Sequence, residues 1–85
     1  MMICIGHKNF LESSCVEEIL SPHGSRAKKL KRLAAEVGRL ISATEGKRVK
    51  SMIKLKTEHI VLSSLDPETL NSELRRLSSF RRRYH

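Results

Sequence analysis

The side chains with chemistry to offer are cations. In Glu45-Gly46-Lys47-Arg48-Val49-Lys50 a glycine able to take positive φ precedes two consecutive bases and a third two residues on. At a turn, such side chains project past the edge of a sheet, where they reach a phosphate or a groove. Arg48 suits bidentate contacts because its guanidinium is a planar fork; Lys47 acts as a point charge. A glycine followed by two bases is a weak motif by itself, and its setting gives it weight. Residues 26–56 hold eleven Lys and Arg against Glu36 and Glu45, so the net charge of +8 is concentrated in the middle third. That concentration builds a field that attracts polyanions. Lys28, Lys29 and Arg32 therefore join Lys47, Arg48 and Lys50 as candidates for DNA contact.

Catalytic groups are sparse. The chain has no G-x-S-x-G, no glycine-rich phosphate loop and no Ser-His-Asp arrangement that spacing supports. His7, His23, His59 and His85 stand singly, outside the i,i+4 or C-x-x-C…H spacings of metal sites. His59 opens a strand and reads as a hydrogen-bonded structural residue. Glu17 and Glu18 are adjacent on a strand and point to opposite faces, which rules out a close dyad. Cys4 and Cys15 are too few for a disulfide scaffold and are expected as buried, reduced thiols, although a first hairpin would let them face each other. No enzymatic activity, cofactor, metal or small-molecule ligand is expected.

Eighty-five residues allow one small domain, which buries about 60–65% of the surface of its unfolded chain. Aromatic residues make up 4%, with no Trp, too few for the stacked rings of a single-strand RNA platform. No apolar run approaches the roughly 18–20 residues of a membrane span. Met1-Met2-Ile3-Cys4-Ile5 lacks the basic lead and length of a signal peptide, so a cytoplasmic protein is expected, with no membrane partner.

The elements that must position the cations follow from apolar spacing. Residues 2–5 and 15–20 read as strands, with a turn supplied by Gly6, Lys8 and Asn9. Ser21-Pro22 and Gly24 end that stretch. Ser25 is the expected N-cap of a helix over 26–37, whose stripe is Ala27, Leu30, Leu33, Ala34 and Val37. Lys28, Lys29, Lys31 and Arg32 fall on its flanks and back, and Gly38 terminates it. Strands follow at 40–44, 49–55 and 59–65. The second of these alternates, which predicts one wet face, and the third is apolar on both faces, which predicts a central place. Asp66-Pro67-Glu68-Thr69 opens a second helix with Leu70, Leu74 and Leu77 on its apolar side. The order β-β-α-β-β-β-α predicts an α+β domain over residues 1–77, with both helices on one face of a mainly antiparallel sheet. Residues 78–85 read as a loosely ordered basic tail.

Several strings together carry a family resemblance. They are Ile5-Gly6, Ile19-Leu20-Ser21-Pro22, Gly38 through Arg48 with Ala43-Thr44-Glu45-Gly46-Lys47-Arg48 at its end, and His59-Ile60-Val61-Leu62-Ser63-Ser64-Leu65-Asp66-Pro67-Glu68-Thr69. In these the chain resembles the bacterial extracellular matrix regulatory protein RemA family from about Ile3 to Leu74. The resemblance implies a double-stranded-DNA-binding transcription regulator of biofilm-matrix genes that closes into a ring-shaped homo-oligomer and associates with the nucleoid. It places the family's basic DNA-contacting pair on Lys47 and Arg48. A further family arginine in the second strand falls on Cys15, which supplies no charge, beside Glu17 and Glu18. The alternative is a basic assembly or adaptor protein whose cationic face meets RNA or an acidic protein. Edge strands that need covering are an independent reason to expect self-association.

Overall fold

The computed structural model describes residues 1–83, with side-chain surroundings described through Arg76. Two strands, β1 (Met2–Gly6) and β2 (Asn9–Glu12), form an antiparallel hairpin across the two-residue turn His7-Lys8. A single 3-10 turn, Ser13–Cys15, leads into β3 (Val16–Leu20), then α1 (Ser25–Glu36), β4 (Leu40–Ser42), β5 (Ser51–Leu55), β6 (Ile60–Ser63) and α2 (Pro67–Arg83). The α+β class is as the apolar spacing predicts. The segment read as a turn after Gly6 holds one further strand, β2, because Leu11 points inward opposite Ile3 and gives the hairpin a second inner face.

β3 to β6 form one four-stranded sheet in the order β3-β5-β6-β4. β5 is antiparallel to both neighbours, and β4 runs parallel to β6. β6 lies inside the sheet, and all four of its residues are buried. β5 lies inside it too.

The expectation of both helices on one face is corrected. Met52, Ile60 and Leu62 point to one side, where Ala27 and Ala34 of α1 cover them. Ile53, Leu55 and Val61 point to the other, where Ile3, Ile5 and Leu70 pack from the hairpin and α2. β5 therefore has no wet face: a period-2 pattern assigns residues to faces but does not say what covers each face.

α1 starts one residue earlier than expected. Its N-cap is Gly24, with φ −71 and ψ 154, and no side chain caps it. It ends as predicted, with Gly38 at φ +71 and the Arg39 N–H donating to the Ala34 carbonyl at 2.8 Å. Of its predicted stripe, Ala27 and Ala34 are buried and Leu30 packs beside them, whereas Leu33 and Val37 are 44% and 66% exposed. Leu33 lies about 100° around the helix from Ala34, and Val37 is the C-cap residue. α2 opens at Pro67 with Glu68 in its first turn. Leu70 is fully buried and Leu74 packs against the same core; Leu77 and the basic tail expected at 78–85 fall outside the described side chains.

Two buried serines join these layers. Ser51 and Ser63 are opposite each other on β5 and β6 and have no exposed surface. The Ser51 hydroxyl donates to the Leu65 carbonyl at 2.8 Å, and the Ser63 hydroxyl donates to the Ile5 carbonyl at 2.7 Å while accepting from the Leu65 N–H. Buried hydroxyls without such partners would destabilise by about 1–3 kcal/mol each.

Candidate nucleic-acid interface

Because β4 and β5 flank β6 instead of pairing with each other, residues 43–50 are not a hairpin. They form an arch over the carboxyl end of β6. The arch is tied to that strand at both feet: the Ala43 N–H donates to the Leu62 carbonyl and the Lys50 N–H to the Ser63 carbonyl, each at 2.9 Å. Between the feet, the Lys47 N–H donates to the Thr44 carbonyl at 2.9 Å and closes a turn whose central residues, Glu45 and Gly46, have φ of +52 and +79. Two consecutive positive φ values belong to the tight type I′ class, in which glycine is unstrained and glutamate is not. The turn directs Lys47, Arg48 and Lys50 outward, and all three are exposed. The tip expected on a hairpin is therefore the crown of an arch, and it is more firmly anchored than a free tip.

A second segment reaches the same place. The β1–β2 turn carries His7 at φ +50 and Lys8 at φ +63, and the Asn9 amide donates to the Gly6 carbonyl at 3.1 Å. Gly6 itself has φ +109, and a Cβ on it would stand 3.1 Å from the Ser64 hydroxyl, so only glycine lets this turn lie so close to the end of β6. Between the two turns is an open cleft of about 260 Å³ lined by His7, Lys47, Arg48, Lys50 and Ser64. The sequence pattern did not single out His7 as a site residue; its placement depends on contacts distant in sequence.

Lys28, Lys29 and Arg32 are exposed on the outward side of α1. Spacings of three and four residues make them one surface patch. α1 starts where β3 ends, opposite Met52, and so at the same end of the sheet as the arch. The patch belongs to the α1 layer, however, and none of its members lines the cleft. The candidates thus fall into two groups, a rim and a helix patch.

The acids of the first third are already engaged. Glu17 meets the Lys54 ammonium at 2.8 Å and Glu18 meets the Arg26 guanidinium at 2.7 Å. The hydrogen bond from Lys54 holds the Glu17 carboxyl below its ordinary range, and the same bond raises the Lys54 ammonium above its own. Among the described residues, Lys28, Lys29, Arg32, Lys47, Arg48 and Lys50 form no salt bridge, so their charge is directed at solvent.

Cys15 ends the 3-10 turn, one residue before the second strand expected to hold it, and its carbonyl accepts from the Lys56 N–H at 2.9 Å. That contact places it at the opposite end of the sheet from the arch. Both cysteines are free, but the expectation of buried thiols is corrected: Cys4 is exposed, opposite Phe10 on the outer face of the hairpin, and Cys15 is half-buried. The His59 Nδ1 and the Thr57 hydroxyl share a 2.8 Å hydrogen bond, the structural role expected of that histidine. Among the described residues, no helix is long and apolar enough to cross a membrane.

A family model described as "RemA-like: Extracellular matrix regulatory protein A-like" matches residues 2–74. Similar proteins bear the name "Putative regulatory protein". One, from Geobacillus sp. strain WCH70, is 35% identical over 72 residues, covering 85% of this chain and 83% of its own. Another, from Thermodesulfovibrio yellowstonii, is 37% identical over 70 residues, covering 82% of each chain. A third, from Alkaliphilus metalliredigens, is 37% identical over 73 residues, covering 86% of this chain and 78% of its own.

Proposed function

The chain belongs to the RemA-like family of regulatory proteins, and from that premise we propose that it is a regulator of transcription that binds duplex DNA through the cationic rim, as a ring-shaped homo-oligomer without enzymatic activity. The observation that carries this reading is the arch. Lys47, Arg48 and Lys50 are exposed, without acidic partners among the described residues, and fixed in place by backbone bonds to β6. Cations held in this way contact phosphates with little ordering of the loop at the moment of binding.

Duplex is favoured over single strands because both faces of the sheet are covered, leaving no aromatic platform among the described residues on which bases would stack. No recognition helix enters the account, so selectivity comes from the shape and flexibility of the duplex more than from base edges. Biofilm-matrix genes are the regulated class proposed, in keeping with the extracellular matrix that the family's description names.

One rim offers few phosphate contacts, and multiplicity supplies the rest. Copies arranged in a ring present the rim repeatedly to one duplex, so that the second and later contacts are intramolecular. The outer edges of β3 and β4 end the sheet, and Phe10, Val37 and Ile41 are exposed at 55%, 66% and 45%. Two different unsatisfied flanks suit head-to-tail association, which closes when the rotation permits. Light scattering on the purified protein, followed by competition between duplex DNA and structured RNA of equal length, tests the reading. A multi-subunit particle that prefers the duplex supports it; a monomer, or a preference for RNA, refutes it.

A further inference from the structure

We propose that the cleft between the β1–β2 turn and the arch is a built site for one backbone phosphate, and that His7 is one of its ligands and makes its grip dependent on pH. This rests on the duplex-DNA reading above and goes beyond it in naming a residue outside the middle third, where the charge is concentrated, and a protonation step.

Three observations converge on the cleft. The residues that line it come from three segments and each carries a side-chain donor: His7 from the hairpin, Lys47, Arg48 and Lys50 from the arch, and Ser64 following β6. Such a set matches the acceptor oxygens of a phosphate. The His7 turn is also held in place by structure elsewhere: Ser63 bonds the Ile5 carbonyl, Asn9 bonds the Gly6 carbonyl, and Gly6 alone permits the approach to Ser64. Finally, the turn places two non-glycine residues, His7 and Lys8, in the left-handed region, where glycine would relieve the backbone. Strain of that kind is retained where the side chain contributes something glycine cannot.

The charges facing His7 can be named. Lys47, Arg48 and Lys50 face it from the arch, Lys8 is its neighbour in the turn, and Ser64 is neutral. The carboxylate nearest His7 along the chain, Glu12, pairs with the Met1 ammonium at the far end of the hairpin, and Glu45 and Asp66, nearest in sequence to the arch and to Ser64, are exposed and outside the lining. A phosphate in the cleft sets negative charge beside the imidazole and favours its protonated form, so binding takes up a proton at His7. By linkage, affinity then rises as pH falls through the histidine range.

The test measures duplex-DNA isotherms of the full-length protein at about pH 6 and about pH 8 at one salt concentration, where histidines change charge and phosphates do not. The wild type is expected to bind at least about threefold more tightly at the lower pH, the scale of one added partly screened charge contact. His7→Asn tolerates the left-handed backbone but carries no charge; whatever the level of its affinity, it should show no gain between the higher and the lower pH. His7→Gly, which relieves the backbone, should behave likewise. If both variants keep the wild-type gain, or the wild type binds with no gain at all, the phosphate site is overturned while duplex binding stands. Failure of the wild type to bind at either pH overturns the duplex reading and the cleft with it.

Discussion

The Ser63 hydroxyl donates to the Ile5 carbonyl at 2.7 Å across 58 positions of sequence. This bond fixes the N-terminal hairpin to the central strand of the sheet, immediately below the arch that carries Lys47 and Arg48. Strand pairing positions the arch, and this side chain helps position the turn opposite it. The rim therefore depends on a buried hydroxyl that touches none of its cations.

Ser63→Ala leaves the Ile5 carbonyl and the Leu65 N–H without their partner in a buried place. The loss should destabilise the domain by about 1–3 kcal/mol, read as a lowered denaturant midpoint with an unchanged slope. A midpoint equal to the wild type would mean that the hairpin is held by apolar packing alone.

Gly6→Ala introduces a Cβ at φ +109 and 3.1 Å from the Ser64 hydroxyl. Backbone strain of this kind is worth about 1–3 kcal/mol, and the expected result is a lower thermal midpoint than that of Ala at Gly24, where a Cβ meets nothing within 4 Å. Equal midpoints for the two variants would contradict the close approach described here.

Much of this is legible in the sequence itself. Asp66-Pro67-Glu68 marks the start of α2, Gly38 marks the end of α1, and the apolar run at 60–62 marks a central strand, because each is a local matter of caps, φ and burial. The face covered by each helix was not legible, since Met52 and Ile53 alternate identically whichever layer packs on them. Nor was the arch. Ser42 and Ser51 are joined through a tight turn that reads as a hairpin, and only the insertion of β6 between their strands makes it a crossover. The cationic trio itself stands out by charge density, while His7 shares a cleft with it across forty or more positions of sequence.

Glu17 and Lys54 set a pH dependence whose sign is fixed by their directions. Glu17 is held below its ordinary range by the Lys54 hydrogen bond, so its stabilising contribution is present above that range and is lost as pH falls through the lowered value. Lys54 is raised, so its contribution is complete below the ordinary lysine range and is lost only as pH rises through the raised value. Thermal midpoints of the wild type and Glu17→Gln should therefore differ most between the two ranges and converge in acid. The difference should be small, because both partners meet solvent. A gap that persists undiminished into strong acid would show that the glutamate acts through something other than this pair.

The most direct test of the central claim is the salt dependence of duplex binding by the wild type and by Lys47→Ala with Arg48→Ala. Both residues are exposed, so the fold and the particle size should be preserved. Each neutralised phosphate contributes a log–log slope of about −0.9. The account predicts a steep negative slope for the wild type, and for the double variant both a shallower slope and an affinity at least about tenfold weaker at low salt. Superimposable lines for the two proteins would contradict it.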